Sequence, residues 1–502
     1  MADVMDGVPR GDRTKFLRQQ RGPLASWLPV ADILNKTALR YDPKNPGSQI
    51  LVGAINQNLV GISDNRHMMT VAGSRAGKSV SLINNLLFYR GSILATDPKG
   101  ELAEVTAERR ARLGQKVYVL DPFRTCSEKI AGFRASYNPM SVLDLSSQSF
   151  LEDAALIAES IVVQAGDQKD PHWDESAKNF IEGLVIHVAT APQYDDRRHL
   201  ITVRELITKA LWVPPGDGKR GAKPLLHEEM QGNALRLGAV PSTVDIGASL
   251  MAAVLDFYGK GEQEIAGVQS TVNRQTKFLD YPALRGVLQN NDFDLAELKR
   301  NPKGVSIYLC FPATRAEISK RWMRLFVNQL LDAMARERAQ PPLPVLVCLD
   351  EFPVLGYMKQ LETAAGLIAS FGVKLWFILQ DWSQGKALYG DRWETFAGNA
   401  GILQFFGNND LTTAEYITKR LGKTQVQVFR QSDVAQDQRN QGLSGQSENI
   451  ELHDLLAPNE VMQLFARSDT QKRQLILWAG YHPMILQRVE HHAKGNPLEP
   501  YL

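Results

Sequence analysis

The sequence predicts an α/β protein with a mainly parallel sheet flanked by helices, and three observations support this fold class. Short apolar segments alternate with helical patterns in the early part of the chain, which is typical of right-handed βαβ units. A loop of small residues, 72–79, joins one apolar strand to a helical pattern. A later apolar strand, 343–349, ends on two adjacent carboxylates, and its continuous apolarity predicts a strand that is covered on both faces.

The predicted strands fall into two groups, which a long helical block separates. The first group comprises 50–55, 68–71, 92–96 and 117–120, with helices predicted at 81–89 and 101–113. The second group comprises 304–311, 345–349, 374–380, 402–406 and 474–479, with a helix predicted at 319–338. We expect both groups to form one sheet, with the helical block inserted between them.

The helical block predicts a separate domain of normal size. Its predicted helices are 150–164, 173–190, 202–211, 244–258 and 261–279. The chain is therefore divided into an N-terminal segment (1–48), an α/β domain (49–142 and 299–485), an inserted all-α domain (143–298) and a C-terminal tail (486–502). The basic loop 214–224 is either a solvated loop or a phosphate contact, and the Gln/Ser-rich segment 425–450 is expected to be a flexible excursion.

The composition describes an ordinary globular protein without a bulk signal for a nucleic-acid partner. The chain has 502 residues, of which 44% are hydrophobic and 22% charged, and a formal net charge of +2. Any contact with DNA would therefore come from local basic patches or from a ring of subunits. The three cysteines have no metal-ligand spacing, which fits an intracellular protein with core thiols. The sequence contains no apolar run of the length of a membrane span, so a cytoplasmic protein is expected.

The run Ala72-Gly73-Ser74-Arg75-Ala76-Gly77-Lys78-Ser79-Val80 has the spacing of a phosphate-binding loop. Small residues let backbone amides surround phosphate oxygens, and the N-terminus of the following helix adds its positive dipole. In this pattern Lys78 reaches the β- and γ-phosphates, and the Ser79 hydroxyl binds Mg²⁺. Ala72 departs from the pattern, which has glycine there, but alanine costs little if its φ is negative. An ordinary Gly-rich turn between a strand and a helix would show the same residues.

Asp350 and Glu351 follow the apolar strand at the end where open α/β sheets bind ligands. Asp350 is expected to hold Mg²⁺ through water, and Glu351 to orient or deprotonate an attacking water. A strand that ends in solvated acids is the alternative for this feature alone. Together with the phosphate-binding loop, the carboxylates supply the remaining parts of one mechanism. The sequence therefore predicts an ATPase core that uses ATP and Mg²⁺.

Other polar residues at strand ends are further candidates. The Gln380 amide could contact both a γ-phosphate oxygen and the attacking water, and a strand-capping glutamine is the alternative. Asp97 either faces the same cleft or belongs to a Pro-Gly turn. An arginine finger, supplied by a neighbouring subunit to stabilise transition-state charge, has four candidates: Arg321, Arg324, Arg392 and Arg420.

Taken in order along the chain, these motifs resemble those of the type IV coupling proteins, the conjugative DNA-transfer ATPases of type IV secretion systems. The resemblance runs from about Gly53 to Tyr481 and includes the phosphate-binding loop and several shorter motifs. These are Leu94-Ala95-Thr96-Asp97-Pro98-Lys99-Gly100-Glu101, Tyr137-Asn138-Pro139, Leu349-Asp350-Glu351-Phe352-Pro353, Phe371-Gly372-Val373-Lys374 with Gln380, Tyr389-Gly390, Asn408-Asn409-Asp410 and Leu421-Gly422.

The resemblance implies a RecA-like P-loop NTPase fold with an inserted all-α domain, assembled as a hexameric homo-oligomer with ATP sites between subunits. It implies that Lys78, Glu351 and Gln380 act in catalysis, that residues 72–80 and Asp350 bind the nucleotide, and that Ser79 and Asp350 hold Mg²⁺. It also implies delivery of DNA, DNA–relaxase complexes or effector proteins to the channel of a type IV secretion system. The all-α domain would receive the substrate.

Two features depart from the family pattern. Family members usually begin with transmembrane helices, and this sequence shows none. A separate membrane partner, or a peripheral position at the inner face of the cytoplasmic membrane, is therefore expected. Lys374 stands where many members carry arginine, and its point charge lacks the planar fork of an arginine finger. Two alternatives to a DNA-delivering ATPase stay open: an ATP-gated adaptor for effector proteins, and a DNA-pumping translocase outside secretion.

Overall fold

A computed structural model describes residues 25–163, 172–210, 225–431 and 446–502. The basic loop 214–224 lies outside these residues, as do the first part of the N-terminal segment and the middle of the segment 425–450. In the part of the chain that the structure describes, one large sheet carries helices on both faces, and a mainly helical block extends from it.

The strands agree closely with the two predicted groups. Their bounds are β1 (Ile50–Ile55), β2 (Asn58–Ile62), β3 (His67–Ala72), β4 (Ile93–Asp97), β5 (Lys116–Leu120), β6 (Val305–Cys310), β7 (Val345–Leu349), β8 (Val373–Leu379), β9 (Ala400–Phe406), β10 (Lys423–Gln431), β11 (Gln446–Asp454), β12 (Arg473–Trp478) and β13 (Met484–Gln487). Eleven of them form one sheet in the order β2-β1-β13-β12-β9-β3-β8-β7-β4-β6-β5. From β9 to β5 all neighbouring strands are parallel, and β12, β13, β1 and β2 add an antiparallel edge.

The α-helices of the described residues follow the same chain order. They are α1 (Val30–Asn35), α2 (Lys78–Phe88), α3 (Glu101–Arg112), α4 (Phe150–Ile161), α5 (His172–Thr190), α6 (Leu200–Glu205), α7 (Leu225–Gly238), α8 (Val244–Tyr258), α9 (Glu262–Thr276), α10 (Pro282–Leu288), α11 (Glu297–Arg300), α12 (Ala316–Arg336), α13 (Lys359–Leu367), α14 (Trp382–Tyr389), α15 (Trp393–Asn399), α16 (Leu411–Leu421) and α17 (Pro458–Leu464). A short π-helical turn, Leu206–Ala210, continues α6.

The core consists of two hydrophobic clusters, one on each face of the sheet. Successive residues of a strand point to opposite faces, and accordingly Met69 and Leu94 belong to one cluster while Met68 and Ile93 belong to the other. All four side chains are buried. This double burial explains why the parallel strands read as continuous apolar runs in the sequence.

Helices α4 to α10 lie within residues 143–298, where the sequence predicts the inserted all-α domain. Its hydrophobic contacts join distant helices. For example, the rings of Phe180 on α5 and Phe257 on α8 stack with centroids 3.7 Å apart. Helices α7 and α10 are the elements of this block that the sequence patterns missed; the glycines within α7 weaken its helical pattern, and α10 has only seven residues. The division into domains stays a prediction, and the structure describes only the elements themselves.

Helices α13 to α17 were not predicted, and two regions of the strand pattern also differ from what the sequence indicates. Strands β2 and β13 extend the sheet on its antiparallel side and were not predicted. The segment 425–450 was expected to be a flexible excursion, but its two ends pair as the hairpin strands β10 and β11. Among the helices of the described residues, none is both long enough and apolar enough to cross a lipid bilayer.

A chain of buried polar side chains crosses the middle of the sheet, and we call it the polar ladder. The Trp376 indole donates to the Thr70 hydroxyl at 2.9 Å, and that hydroxyl donates to the Gln404 side-chain oxygen Oε1 at 2.7 Å. The Gln404 amide donates to Gln474 at 2.7 Å, and the Gln474 amide donates to the Val52 carbonyl at 2.7 Å. The polar ladder thereby links β8, β3, β9, β12 and β1 through groups that are removed from water.

Candidate functional site

The topology brings the predicted site residues to one edge of the sheet. The carboxyl ends of parallel strands meet at the same edge, where open α/β sheets bind ligands. Strand β8 lies between β3 and β7. As a result Gln380, which follows β8, lies between the loop after β3 and the carboxylates after β7. Asp97, at the end of β4, lies on the far side of β7 at the same edge.

The loop after β3 is folded tightly against the loop after β9. A Cβ atom on Gly73 would lie 2.0 Å from the Gly407 carbonyl oxygen, so only glycine fits there. Gly407 itself has φ +65°, and a Cβ on it would lie 2.5 Å from the Ala76 Cβ. Gly77 has φ +102° and is the N-cap of α2, a conformation that glycine adopts without strain. The three glycines therefore hold the loop in a compact turn that ends at the helix.

Several backbone amides of this loop point to no acceptor. The Gly73 amide donates to the Phe406 carbonyl at 3.3 Å, and the Ala76 amide donates to the Gly73 carbonyl at 3.2 Å. Within the described part of the chain, the remaining loop amides donate to no protein acceptor, and these belong to Ser74, Arg75, Gly77, Lys78 and Ser79. Ser74 and Arg75 are exposed, whereas Ser79 and Val80 are partly buried in the first turn of α2. Unpaired amides at a helix N-terminus are the groups that bind anions.

Ala72, the position that departs from the loop pattern, is the last residue of β3 and is completely buried. It packs with Ala76 and Phe406 in a small apolar cluster. Its φ is not among the positive values of the chain. Alanine therefore meets the backbone requirement at this position, and its methyl group adds to the core beneath the loop.

Glu351 is in direct contact with both Lys78 and Gln380. The Lys78 ammonium donates to Glu351 Oε1 at 3.2 Å, and the Gln380 amide donates to both Glu351 oxygens at 3.1 and 3.2 Å. The Lys78 side chain is 9% exposed and the Glu351 side chain 27%. The structure thus brings together three residues from separate parts of the sequence, because β3, β8 and β7 are neighbours in the sheet.

Glu351 holds an unusual backbone conformation. Its φ and ψ are 52° and 45°, the left-handed region, which costs a non-glycine residue roughly 1–2 kcal/mol. A 3₁₀ turn, Phe352–Leu355, begins immediately after it. Strain of this kind persists only where the surrounding structure holds it, and it is concentrated at functional sites. In this conformation the Glu351 side chain contacts Lys78, while the Asp350 side chain is buried.

Asp350 is buried beside the other charges of the site. Burial, with the negative charge of Glu351, raises the pKa of Asp350 to about 7, and Lys78 opposes this rise. One Asp350 carboxylate oxygen accepts from the Glu351 amide at 3.0 Å. The Thr96 hydroxyl donates to the Asp350 carbonyl at 2.8 Å and so fixes the strand end. A buried carboxylate with few hydrogen bonds is suited to a cation, because a positive charge would relieve the cost of its burial.

Asp97 has mainly a structural position. Its carboxylate accepts from the Ala103 amide at 2.9 Å and from the Lys99 amide at 3.4 Å, at the start of α3. Burial raises the pKa of Asp97 to about 6. The two readings of the sequence, a cleft residue and a turn residue, are both partly met: the side chain caps the turn, and its charge reaches Asp350.

The raised pKa of Asp350 predicts how the stability of the metal-free protein depends on pH. A folded-state pKa of about 7, above the ordinary 3.8, stabilises the folded protein at low pH. This contribution is complete below about pH 4 and is lost as the pH rises through 7. Asp350→Asn removes the titration, so its advantage over the parent should grow by a few kcal/mol between pH 5 and pH 8. Urea unfolding in EDTA measures the free energy of unfolding of each variant and of the parent. For the exposed control Asp245→Asn, the difference from the parent should be the same at pH 5 and pH 8. A difference that is also the same at both pH values for Asp350→Asn would contradict the expectation.

The candidate arginine fingers divide into two pairs. Arg324 donates to the carbonyls of Leu355 and Tyr357, and Arg321 donates to the Gln275 side chain, so both are bound within their own chain. Arg392 and Arg420 are exposed, and Arg392 pairs with Glu362 at 2.9 Å. A finger must reach a neighbouring subunit, which leaves the exposed pair as the candidates.

Lys374 lies at the opposite end of the sheet from the phosphate-binding loop. It is the second residue of strand β8, and its ammonium donates to the carbonyls of Asp64 and Arg66 at 2.6 and 2.8 Å. The side chain is 2% exposed, and burial lowers the pKa of Lys374 to about 8. These contacts hold the Lys374 ammonium within its own chain, and the absence of a finger role for Lys374 stays a prediction.

Arg488 is a site neighbour that sequence reasoning missed. Its guanidinium donates to the Ala76 carbonyl at 2.5 Å and lies 5.1 Å from the centre of the Phe406 ring. It therefore supports the phosphate-binding loop from below. The residue falls in the segment 486–502, which the sequence sets apart as a tail. No pattern in the sequence signals its role, because the contact depends on the antiparallel strand β13 returning along the sheet.

Comparisons with known proteins agree with this architecture. The family model described as Type IV secretory system Conjugative DNA transfer matches residues 27–495. The conjugal transfer protein TraG of Agrobacterium fabrum (strain C58 / ATCC 33970) is 25% identical over 428 residues, which cover 83% of this chain and 59% of TraG. The protein VirD4 of Rhizobium radiobacter is 27% identical over 444 residues, which cover 85% of this chain and 57% of VirD4. The chain thus spans somewhat under three-fifths of the length of these two relatives.

Solved structures share the fold at low sequence identity. The bacterial conjugative coupling protein TrwBdeltaN70, in an unbound form, superposes with a TM-score of 0.60 at 14% identity, covering 87% of this chain and 88% of its own. The plasmid coupling protein TrwB in complex with ADP and Mg²⁺ superposes with a TM-score of 0.59 at 14% identity, covering 90% and 93%. The predicted RecA-like P-loop NTPase fold is thereby confirmed. Because the family model matches most of its length, the chain belongs to the type IV secretory system conjugative DNA transfer family.

Proposed function

We propose that this chain is a Mg²⁺-dependent ATPase that delivers or translocates DNA, alone or bound to a relaxase, to the channel of a type IV secretion system. The observation that carries the proposal is the convergence of two opposite kinds of group at one sheet edge. Unpaired amides and the Lys78 ammonium offer binding to phosphate oxygens, and Asp350 and Glu351 offer carboxylates to a cation and a water. Membership of the family supports the DNA-delivering part.

The residues present fit a magnesium triphosphate. The loop amides and Lys78 would bind the phosphates, while the Ser79 hydroxyl and Asp350 would hold Mg²⁺. Bound Mg²⁺ supplies neutralisation of the charge on the phosphate oxygens. The burial of Asp350 fits this role, since its carboxylate has no cationic partner within hydrogen-bonding distance in the described residues.

The catalytic roles follow from the contacts of Glu351. Its carboxylate is the more exposed acid of the pair and would orient the attacking water and accept its proton. Gln380 holds both Glu351 oxygens, so its amide is placed to position the same water. Without nucleotide, Glu351 also pairs with Lys78. A γ-phosphate would compete for that ammonium and release Glu351 for the water.

The distribution of charge supports a DNA contact on the α/β domain. Residues 143–298 hold 23 Asp and Glu but 14 Lys and Arg, whereas the whole chain holds 55 and 57. The inserted all-α domain is therefore acidic and the remainder is basic, although the net charge of the chain is only +2. A polyanion is attracted to the basic part and repelled by the acidic part.

The same asymmetry favours a second candidate function for the inserted all-α domain. An acidic surface attracts basic proteins, so an ATP-gated adaptor that recruits effector proteins, or the protein part of a DNA–relaxase complex, also fits. A DNA-pumping translocase outside secretion would use the same α/β domain. We further propose a homo-hexameric ring, with Arg392 or Arg420 reaching a neighbouring ATP site and with membrane or channel components as further partners. Light scattering that shows only monomer in the presence of an ATP analogue would count against the ring.

Calorimetry and ATPase assays on the full chain test the proposed function. Binding of ATP with Mg²⁺ is expected, with an affinity in the micromolar to millimolar range of metabolic enzymes. DNA is expected to stimulate hydrolysis at low salt, and the stimulation should fall steeply as salt rises, because phosphate contacts release counterions. An absence of ATP binding would contradict the ATPase. ATP binding with no effect of DNA at any salt concentration would leave the adaptor as the better description.

A further inference from the structure

Helix α12 contacts both the acidic strand end and the inserted all-α domain. It has 21 residues and is therefore about 30 Å long. In the chain it lies between β6 and β7, so it belongs to the α/β domain by sequence. Along the structure it packs against α4, the first helix of the inserted all-α domain. Its polar side chains make the hydrogen bonds to both of these neighbours.

Arg324 makes the connection to the acidic strand end. Its guanidinium donates to the carbonyls of Leu355 and Tyr357 at 3.0 and 2.5 Å. These carbonyls flank Gly356, the turn that follows the 3₁₀ segment after Glu351. Arg324 is 8% exposed and has no carboxylate partner among the described residues, so these carbonyls are its main hydrogen-bonding acceptors. It therefore clamps the segment from 351 to 357, which we call the acid loop.

The acid loop needs such a clamp because the backbone of Glu351 is held in an unfavourable conformation. Glu351 is left-handed without being glycine, and Gly356 has φ +67°. A Cβ on Gly356 would lie 2.8 Å from the Lys320 side chain, so α12 covers the turn closely. A non-glycine residue in the left-handed region keeps its conformation only through its surroundings. Any shift of Glu351 would accordingly act on α12 through Arg324.

One turn earlier on α12, Arg321 makes the connection to the inserted all-α domain. Its guanidinium donates to Gln275 Oε1 at 2.7 and 3.2 Å. Gln275 on α9 is completely buried, and its amide donates to the Val163 carbonyl at 3.0 Å and to Asp174 at 3.2 Å. Further along α12, Asn328 donates to the Ser160 hydroxyl on α4 at 2.8 Å. The inserted all-α domain is thus hydrogen-bonded to the same helix that clamps the acid loop.

We propose that α12 couples the state of the acid loop to the inserted all-α domain, with Arg324 and Arg321 as the positioning residues at the two contacts. The inference rests on the proposed ATP site, because the acid loop changes its contacts only if a phosphate competes for Lys78. Neither arginine touches the reacting atoms. Coupling of this kind is reciprocal, so a partner bound to the inserted all-α domain would alter ATP affinity by the same factor that ATP alters partner affinity.

Hydrogen exchange on the full chain tests the coupling directly. A slowly hydrolysed ATP analogue with Mg²⁺ is expected to slow amide exchange in the phosphate-binding loop, in the acid loop and in α9, the last by about threefold or more. Arg324→Lys and Arg321→Lys keep the positive charge but lose the planar guanidinium. That group lets Arg324 donate to two carbonyls, and lets two nitrogens of Arg321 donate to one side-chain oxygen. Each is expected to retain analogue affinity within about threefold and the response of the phosphate-binding loop, but to lose the response of α9.

Two controls separate coupling from general damage. Arg112→Lys makes the same change on an exposed helix position, 71% exposed, and is expected to keep the full response of α9. The double variant Arg321→Lys/Arg324→Lys should lose no more of the α9 response than either single variant. The coupling passes through one contact and then the other, so the loss of either contact already interrupts it. A response of α9 that survives in Arg324→Lys, or that is absent in the parent while the analogue binds, overturns the coupling. If the analogue does not bind, the proposed function fails as well, and calorimetry identifies that case.

Discussion

Glu351→Gln is expected to lower the rate of ATP hydrolysis about 10²–10³-fold while ATP affinity stays equal or becomes tighter. Glutamine has the shape of glutamate but cannot accept a proton from water. It also removes the ion pair with Lys78, which the structure shows at 3.2 Å, and so frees the ammonium for phosphate. Steady-state ATPase assays and calorimetry with ATP and Mg²⁺ measure the two quantities separately. The opposite pattern is expected for Lys78→Ala, in which ATP affinity falls together with the rate.

Glu108→Gln is the matched control for this prediction. Glu108 is the acidic partner of a surface ion pair on α3, with Arg112 at 3.3 Å, and lies away from the phosphate-binding loop. Its replacement is expected to leave the rate and the affinity unchanged, since exposed ion pairs contribute little. Turnover of Glu351→Gln within about threefold of the parent would show that another group activates the water.

Arg110→Met is expected to destabilise the α/β domain by about 3–5 kcal/mol. Arg110 is completely buried on α3, and its guanidinium donates to the carbonyls of Leu86, Tyr89 and Gly91 at 2.7, 3.0 and 2.7 Å. It also donates to the Ser306 hydroxyl at 2.5 Å. Methionine fills a similar volume but supplies no donor, so these acceptors would be buried without hydrogen bonds. Two of them are carbonyls at the C-terminal end of α2, where a positive charge is also favourable.

Chemical denaturation, followed by circular dichroism, measures the loss. Arg112→Met, two residues further along α3, removes a side chain that is 71% exposed and is expected to change stability by less than about 0.5 kcal/mol. Arg110→Lys keeps one charged donor and should fall between the two. A destabilisation of Arg110→Met no larger than that of Arg112→Met would show that water replaces the lost donors.

The parallel part of the fold could be predicted from the sequence because burial on both faces leaves a direct signature. The apolar runs at β1 and β7 were predicted with the bounds that the structure shows. The positions of Lys78, Glu351 and Gln380 at one sheet edge followed from their places at strand ends. Their catalytic roles stay predictions, since they depend on a bound nucleotide.

The antiparallel edge and its contribution to the site could not be predicted in the same way. Strand β13 has four residues, and its pairing with β1 joins segments more than 400 residues apart. The contact of Arg488 with the Ala76 carbonyl depends on that pairing. The close approach of Gly73 to Gly407 is likewise a tertiary contact between distant loops, which single glycines in a sequence do not reveal.

The polar ladder fixes the alignment of β3 and β9, and with it the position of the phosphate-binding loop. Thr70 and Gln404 are direct neighbours across β3 and β9, and both strands continue from there for two residues before the loops of Gly73 and Gly407 meet. Displacing one strand by a single residue would move its loop by about 3.3 Å and turn every side chain to the other face. It would also leave several amide and hydroxyl groups of the polar ladder buried without hydrogen-bond partners. Other alignments of β3 and β9 are therefore disfavoured during folding. The phosphate-binding loop packs against the loop after β9 in a single position.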